Sequence, residues 1–221
     1  MKLFVHAGHN SAPEAARLAR HAQEIGADAV AAMAPNFFKP DGVAGLADWC
    51  AAVAAAAPKL PFYFYHMPSM TGVNVSVSEL LLRAAPRIPN LGGVKFTFEA
   101  MHDFLACCRA CGGRFDVLWG RDEMLLGALA MGAEGTVGST YNAIAPLYLE
   151  MIEAFNRGDL PAARELQAKS AAFISALAAT GNFIGALKAV LRSQGIPITP
   201  AVRLPLPALT EDKLAGLAGL A

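Results

Sequence analysis

The sequence predicts a parallel α/β fold of the (β/α)8 barrel type on three observations. Six short β-rich runs recur through the first 142 residues, alanine-rich helical patterns separate them, and the runs begin roughly 20 to 33 residues apart. That spacing holds one strand and one crossover helix, the connection that parallel neighbours require.

The strand candidates are 3–7, 29–34, 61–66, 91–97, 116–119 and 135–139, and the intervening helices are expected at 12–25, 45–56, 78–85, 100–108 and 124–131. Ser11 stands before Ala12-Pro13-Glu14 as an N-cap with proline and an acid in the first turn, and Ser78 stands before Glu79 in the same way. Gly26 and Gly132 follow their helices as C-terminal caps. After residue 139 the strand signal ends. Helices are expected at 146–157, 161–179 and 183–193, then a stretch with Pro197, Pro200, Pro205 and Pro207, and a short last helix near 210–220. With no linker or low-complexity segment, residues 1–221 read as one domain: 1–142 carry the strands and their helices, and 143–221 form a C-terminal helical part.

An open doubly wound sheet is the other architecture that accepts this order, and it normally carries a glycine-rich phosphate cradle after its first strand. Here Gly8-His9-Asn10-Ser11 follows instead, and Gly132, Gly135 and Gly138 flank the last strand without opening a helix into Gly-Lys-Ser/Thr. The barrel fits better, with six strands against eight, a difference of about 60 residues in a fold of about 250. Composition narrows the function. A 55% hydrophobic and 16% charged chain packs a core, and 18 basic against 18 acidic residues leave no basic excess for nucleic acid. No apolar stretch suits a membrane span, and the N-terminal residues read as no secretory signal, so a cytoplasmic protein is expected, with Cys50, Cys107, Cys108 and Cys111 reduced. No second Cys or His pair at ligand spacing completes a metal site.

The candidate chemistry sits at strand ends, where barrel enzymes place their sites. Lys95 lies inside Leu91-Gly92-Gly93-Val94-Lys95-Phe96-Thr97, with Leu91, Gly93, Lys95 and Thr97 on one face. A buried lysine there loses ammonium stability to desolvation and becomes a nucleophilic amine; the competing reading is a lysine snorkelling from a strand end. Tyr65 ends the preceding strand on the same side as Tyr63, with His66 on the other; its phenol could move protons beside an iminium cation, or merely pack in a core. Gly120-Arg121-Asp122-Glu123 and Gly138-Ser139-Thr140-Tyr141-Asn142 follow the fifth and sixth strands. Phe37-Phe38 forms an apolar loop tip, suited to core cover or to a subunit contact.

Four segments make the pattern specific: 34–40 (Ala-Pro-Asn-Phe-Phe-Lys-Pro), 61–73 with its Tyr65-His66-x-Pro68-x-x-Thr71-Gly72 core, Gly93-Val94-Lys95-Phe96-Thr97, and Gly138-Ser139-Thr140-Tyr141-Asn142. Together they resemble the dihydrodipicolinate synthase / N-acetylneuraminate lyase superfamily of Schiff-base aldolases, in its sialic acid lyase branch, over essentially the whole chain. The resemblance implies aldol cleavage of N-acetylneuraminate to N-acetylmannosamine and pyruvate, with Lys95 forming the iminium and Tyr65 taking the C4 hydroxyl proton. It implies that Thr97, Gly120, Asp122, Glu123 and Ser139 hold the sugar hydroxyls and that Phe183 lines the N-acetyl end. No cofactor or metal is required, and a homotetramer is expected. Another pyruvate-dependent aldolase and a non-catalytic sugar binder are the alternatives. The first strand here resembles the family's third, so the six runs correspond to strands three to eight. The family's Gly-Ser/Thr-Thr-Gly-Glu carboxylate turn does not occur in the sequence. On that reading the 221-residue chain alone is expected to be poorly soluble, with little activity.

Overall fold

Parallel strands buried by helices need β-branched or aromatic side chains on the covered face, and the six strands supply them. In this computed structural model, which describes residues 2–217, they are β1 (Phe4–His6), β2 (Ala29–Met33), β3 (Phe62–His66), β4 (Leu91–Phe96), β5 (Asp116–Trp119) and β6 (Gly135–Thr136). They form one parallel sheet in the order 1-2-3-4-5-6, the uninterrupted order of a barrel wall. The registers that matter below are Tyr65 opposite Lys95 and Lys95 opposite Leu118.

The described chain divides into two compact units. The first holds residues up to Arg121 together with Ala130–Val137, and so contains the whole sheet. Its helices are α1 (Ala12–Glu24), α2 (Gly42–Ala55), the single turn α3 (Pro68–Thr71), α4 (Val77–Ala84) and α5 (Met101–Arg109). The covered face of the sheet carries Val30, Phe62, Phe64, Val94, Phe96 and Trp119, all buried. Phe104 of α5 meets Phe96 and Trp119 with ring centroids 5.6 and 5.0 Å apart, the tilted geometry aromatic quadrupoles prefer.

The second unit holds Asp122–Leu129 and the chain from Gly138 onward. After α6 (Leu125–Ala130) come α7 (Tyr141–Asn156), α8 (Leu160–Ala179), α9 (Phe183–Ser193) and α10 (Glu211–Ala215). Phe173, Leu177, Ala186, Leu187 and Val190 build its core between α8 and α9. The last helix expected near 210–220 appears as α10; residues 218–220 lie outside the described residues.

Several local expectations change. Ser11 occupies the N-cap position of α1, but its side chain makes no capping bond. The cap of α4 is Ser76, whose hydroxyl accepts from Glu79 N, and not Ser78. Ser78 sits inside the first turn, where its hydroxyl donates to Asp103 Oδ1 at 2.6 Å. The buried Asp103 also accepts from Val77 N and Ser78 N, so a carboxylate from α5 serves as the cap a local side chain would normally provide. The helix expected from residue 146 starts at Tyr141: one turn precedes a break at Ile144 (φ −128°), and Pro146 follows it, where a missing N–H costs nothing.

Candidate active site

Lys95 and Tyr65 come together because neighbouring parallel strands place residues in register on the same face. Lys95 Nζ lies 4.2 Å from the centroid of the Tyr65 ring, a cation–π distance. The lysine is half-buried, not enclosed as the sequence suggests, because its side chain runs over the tyrosine along a face that is only partly covered. Gly93 sets the space around it. A Cβ there would stand 1.9 Å from the Asp116 carbonyl oxygen and 3.0 Å from the Tyr63 ring, so only glycine lets β5 and Tyr63 approach β4 this closely. Tyr63 donates its hydroxyl to Asp116 Oδ2 at 3.1 Å; burial, then the Asp116 charge, push its pKa up to about 12. Tyr65 donates instead to the Met67 sulfur at 3.2 Å, a weak acceptor.

One residue beyond β4, Thr97 N donates to His66 O at 2.8 Å, while the Thr97 hydroxyl is buried with no hydrogen-bond partner. An unpaired buried hydroxyl costs about 1–3 kcal/mol. Gly120 keeps it in place, since a Cβ at 120 would lie 1.9 Å from Thr97 Oγ1. Arg121 pairs with Glu99. His66 faces the opposite side, buried against Phe64, Phe96 and Phe98, and burial lowers its pKa to about 4, with Asp103 opposing the shift. It is a neutral packing residue.

The remaining candidates belong to the second unit. Asp122 is buried and its Oδ2 accepts from Thr140 N at 2.9 Å and from the Thr140 hydroxyl. Thr140 in turn shares a hydrogen bond with the Tyr148 hydroxyl at 2.6 Å, and Tyr148 shares one with Ser170 at 2.9 Å. Gly138 is obligatory for this arrangement: a Cβ there would lie 1.6 Å from Asp122 Oδ1. Asp122 therefore anchors the start of α7, a task the sequence reading did not give it, and the Thr140–Tyr148–Ser170 chain was missed altogether. Its one sequence signal is a serine at 170 within an otherwise apolar helical stripe. Glu123 is half-buried, Ser139 is exposed, and Phe183 packs at the start of α9 against the core of its unit.

The four cysteines are free thiols, Cys50 and Cys107 buried. Among the described residues no group of three His, Cys, Asp or Glu side chains could hold a metal ion, and no single helix is long and apolar enough to cross a membrane.

A sequential parallel sheet with a strand-borne lysine lying on a tyrosine of the next strand defines the barrel class in which lysine chemistry is carried on the sheet itself. Comparison with known proteins makes the class specific: the dihydrodipicolinate synthetase family model matches residues 1–220, and the chain belongs to that family. It is 43% identical over 213 residues to mouse N-acetylneuraminate lyase, covering 96% of this chain and 66% of that protein, and 42% identical to the chicken enzyme, covering 96% and 70%. Proteus mirabilis N-acetylneuraminate lyase superposes with a TM-score of 0.94 at 39% identity, over 100% of this chain and 74% of that one. The chain thus spans about two thirds of the length of the curated relatives it matches.

Proposed function

We propose that this chain carries the Schiff-base chemistry of N-acetylneuraminate lyase, cleaving N-acetylneuraminate to N-acetylmannosamine and pyruvate. The observation that supports it most directly is the pairing of Lys95 Nζ with the Tyr65 ring at 4.2 Å. The Lys95 amine attacks the C2 ketone and water leaves, giving an iminium that serves as electron sink. With its own proton released to solvent and its anion stabilised by the neighbouring iminium, the Tyr65 phenolate takes the proton of the C4 hydroxyl as the C3–C4 bond breaks, and the bonding pair moves into the iminium to form an enamine. N-acetylmannosamine departs; protonation of the enamine at C3 and hydrolysis release pyruvate and restore the amine. The Thr97 hydroxyl, buried without a partner, is suited to a substrate oxygen, since a ligand bond would relieve its desolvation. Glu123, Ser139 and Asp122 take the sugar hydroxyls and Phe183 the N-acetyl end in the same reading.

Incubation with pyruvate and borohydride, followed by peptide mass mapping, tests this. A reduced adduct on Lys95 is the expected result, and a chain left unmodified overturns the reading. Substrate choice is tested separately by comparing cleavage of N-acetylneuraminate with that of 2-keto-3-deoxygluconate, where a preference for the second would replace the sugar assigned here. The exposed Phe37 and Phe38, edge to face 4.9 Å apart, support a homo-oligomer; a tetramer and a cytoplasmic location belong to the same proposal. Sedimentation that finds only monomer would remove it.

A further inference from the structure

His6 is a titratable group at the end of β1 that the chemistry above does not use. Three contacts define its state. Its Nε2 lies 3.2 Å from Met33 N, and a backbone N–H can only donate, so Nε2 is the bare nitrogen and the ring proton sits on Nδ1. Gly8 makes this bond possible: a Cβ at position 8 would stand 2.6 Å from His6 Cε1 and 2.9 Å from Nε2, forcing the ring away. The imidazole then meets the Tyr65 ring at right angles, centroids 6.2 Å apart, while Lys95 lies over that same tyrosine. Desolvation first and the Lys95 charge second lower the His6 pKa, in agreement with an accepting, neutral ring. The titratable groups facing it are Lys95 from β4 and Tyr65 from β3. His9, which lines the same pocket, has its own Nδ1 accepting from Ser11 N.

Resting on the Schiff-base reading, we infer that His6 is a positioning residue for the Lys95–Tyr65 pair, its ring oriented by the Met33 N–H so that it supports the tyrosine over which Lys95 lies. A protonated ring carries hydrogen on both nitrogens. It would lose the Met33 bond and, with it, the orientation that sets the imidazole edge-on against the Tyr65 ring.

The equilibrium adduct reports this directly. Protonated lysine and its iminium carry the same charge, so converting one into the other binds no net proton and gives no pH slope of its own in acid. The experiment titrates the protein with [2-13C]pyruvate between pH 5 and 8 and reads the iminium carbon. In the parent chain, half-occupancy should need ~5–10-fold more pyruvate once His6 is protonated at acid pH. His6→Phe keeps a ring but neither titrates nor accepts. It should need more pyruvate at neutral pH and lose the acidic limb, with an unchanged circular dichroism spectrum. Gly8→Ala, which displaces the imidazole but leaves it titratable, should weaken the adduct at neutral pH as well. An acidic limb that survives in His6→Phe, or a flat profile in the parent, overturns the inference alone. A parent chain that forms no adduct at any pH overturns the Schiff-base reading and this inference with it.

Discussion

The two faces of the six-stranded sheet are made of the same strands and answer to opposite requirements. On the helix-covered face Val30, Phe62, Val94, Phe96 and Trp119 have no measurable exposure. On the other face Phe4 is 42% exposed, His6 and Asp116 are exposed, and Tyr65, Lys95 and Leu118 are half-buried. One face has its polar atoms removed or silenced. The other keeps a lysine, two tyrosines, a histidine and a carboxylate within reach of each other and of solvent. Period-two alternation allows this, because each strand can spend one residue on stability and the next on chemistry without moving its backbone. The comparison teaches that substitutions on the two faces should separate cleanly into losses of reaction and losses of stability.

The largest separation is expected at Lys95. Lys95→Ala should abolish reductive trapping of pyruvate while changing unfolding free energy by less than ~1 kcal/mol, since only a half-buried side chain and one cation–π contact disappear. Borohydride trapping and urea denaturation on the same sample decide it, and a destabilised Lys95→Ala would show that the open face is structural too. Tyr65→Phe comes next. Removal of the hydroxyl, which donates to the Met67 sulfur, should slow sugar cleavage ~10²–10⁴-fold and leave the pyruvate adduct on Lys95 intact. Equal loss of adduct and cleavage would place the tyrosine in carbonyl addition and not in proton transfer.

Phe96→Ala is the mirror experiment on the covered face. It empties a fully buried site between Phe104 and Trp119 and should lower stability by about 3–5 kcal/mol in urea titration, with trapping preserved in the protein that stays folded. His66 gives that face a pH dependence. Its folded pKa, about 4, lies below the 6.5 of the unfolded chain, so between those values the unfolded state binds the extra proton. Its contribution is complete above pH 6.5 and drains away as pH falls through 4, a loss on the order of 3 kcal/mol. Urea midpoints measured from pH 7 to 4.5 should fall accordingly, and His66→Leu should flatten the slope; an equal slope in both would assign it to other groups. Thr97→Val is the smallest effect on stability. Replacing an unpaired buried hydroxyl by a methyl should be neutral or stabilising by up to ~1 kcal/mol, yet raise the KM for the sugar. A Thr97→Val protein with unchanged KM would show that no substrate oxygen uses this hydroxyl.

Much of this was legible in the sequence because it depends on local periodicity. The six strands fall where the β-rich runs do, each within a residue or two except at β6, where two residues pair and the run 135–139 continues as loop. Alternation within each run puts Tyr65 on the side of Tyr63 with His66 on the other, and Lys95 on the side of Gly93; that Lys95 stands opposite Tyr65 comes from the strand register, which alternation alone does not give. Capping was less legible. The cap of α4 depends on Asp103, a residue about 25 positions away, and no local pattern distinguishes Ser76 from Ser78 as its partner. Asp122 shows the same limit: the resemblance implies a sugar ligand, and only in space does its carboxylate also anchor Thr140.

The sequence by itself determined the fold class and the face of its own strand on which each residue falls. Those properties follow from periods of two and 3.6 residues and from crossover lengths, which are short-range quantities. Tertiary structure alone decided which polar atoms are paired. It set the Met33 N–H on His6, the Asp103 carboxylate on the start of α4, the empty bonding capacity of Thr97 behind Gly120, and the clearance that glycine gives at positions 8, 93 and 138. Hydrogen bonds and steric clearances of a few ångströms join residues tens of positions apart, and their distances are fixed only once helices and strands have packed.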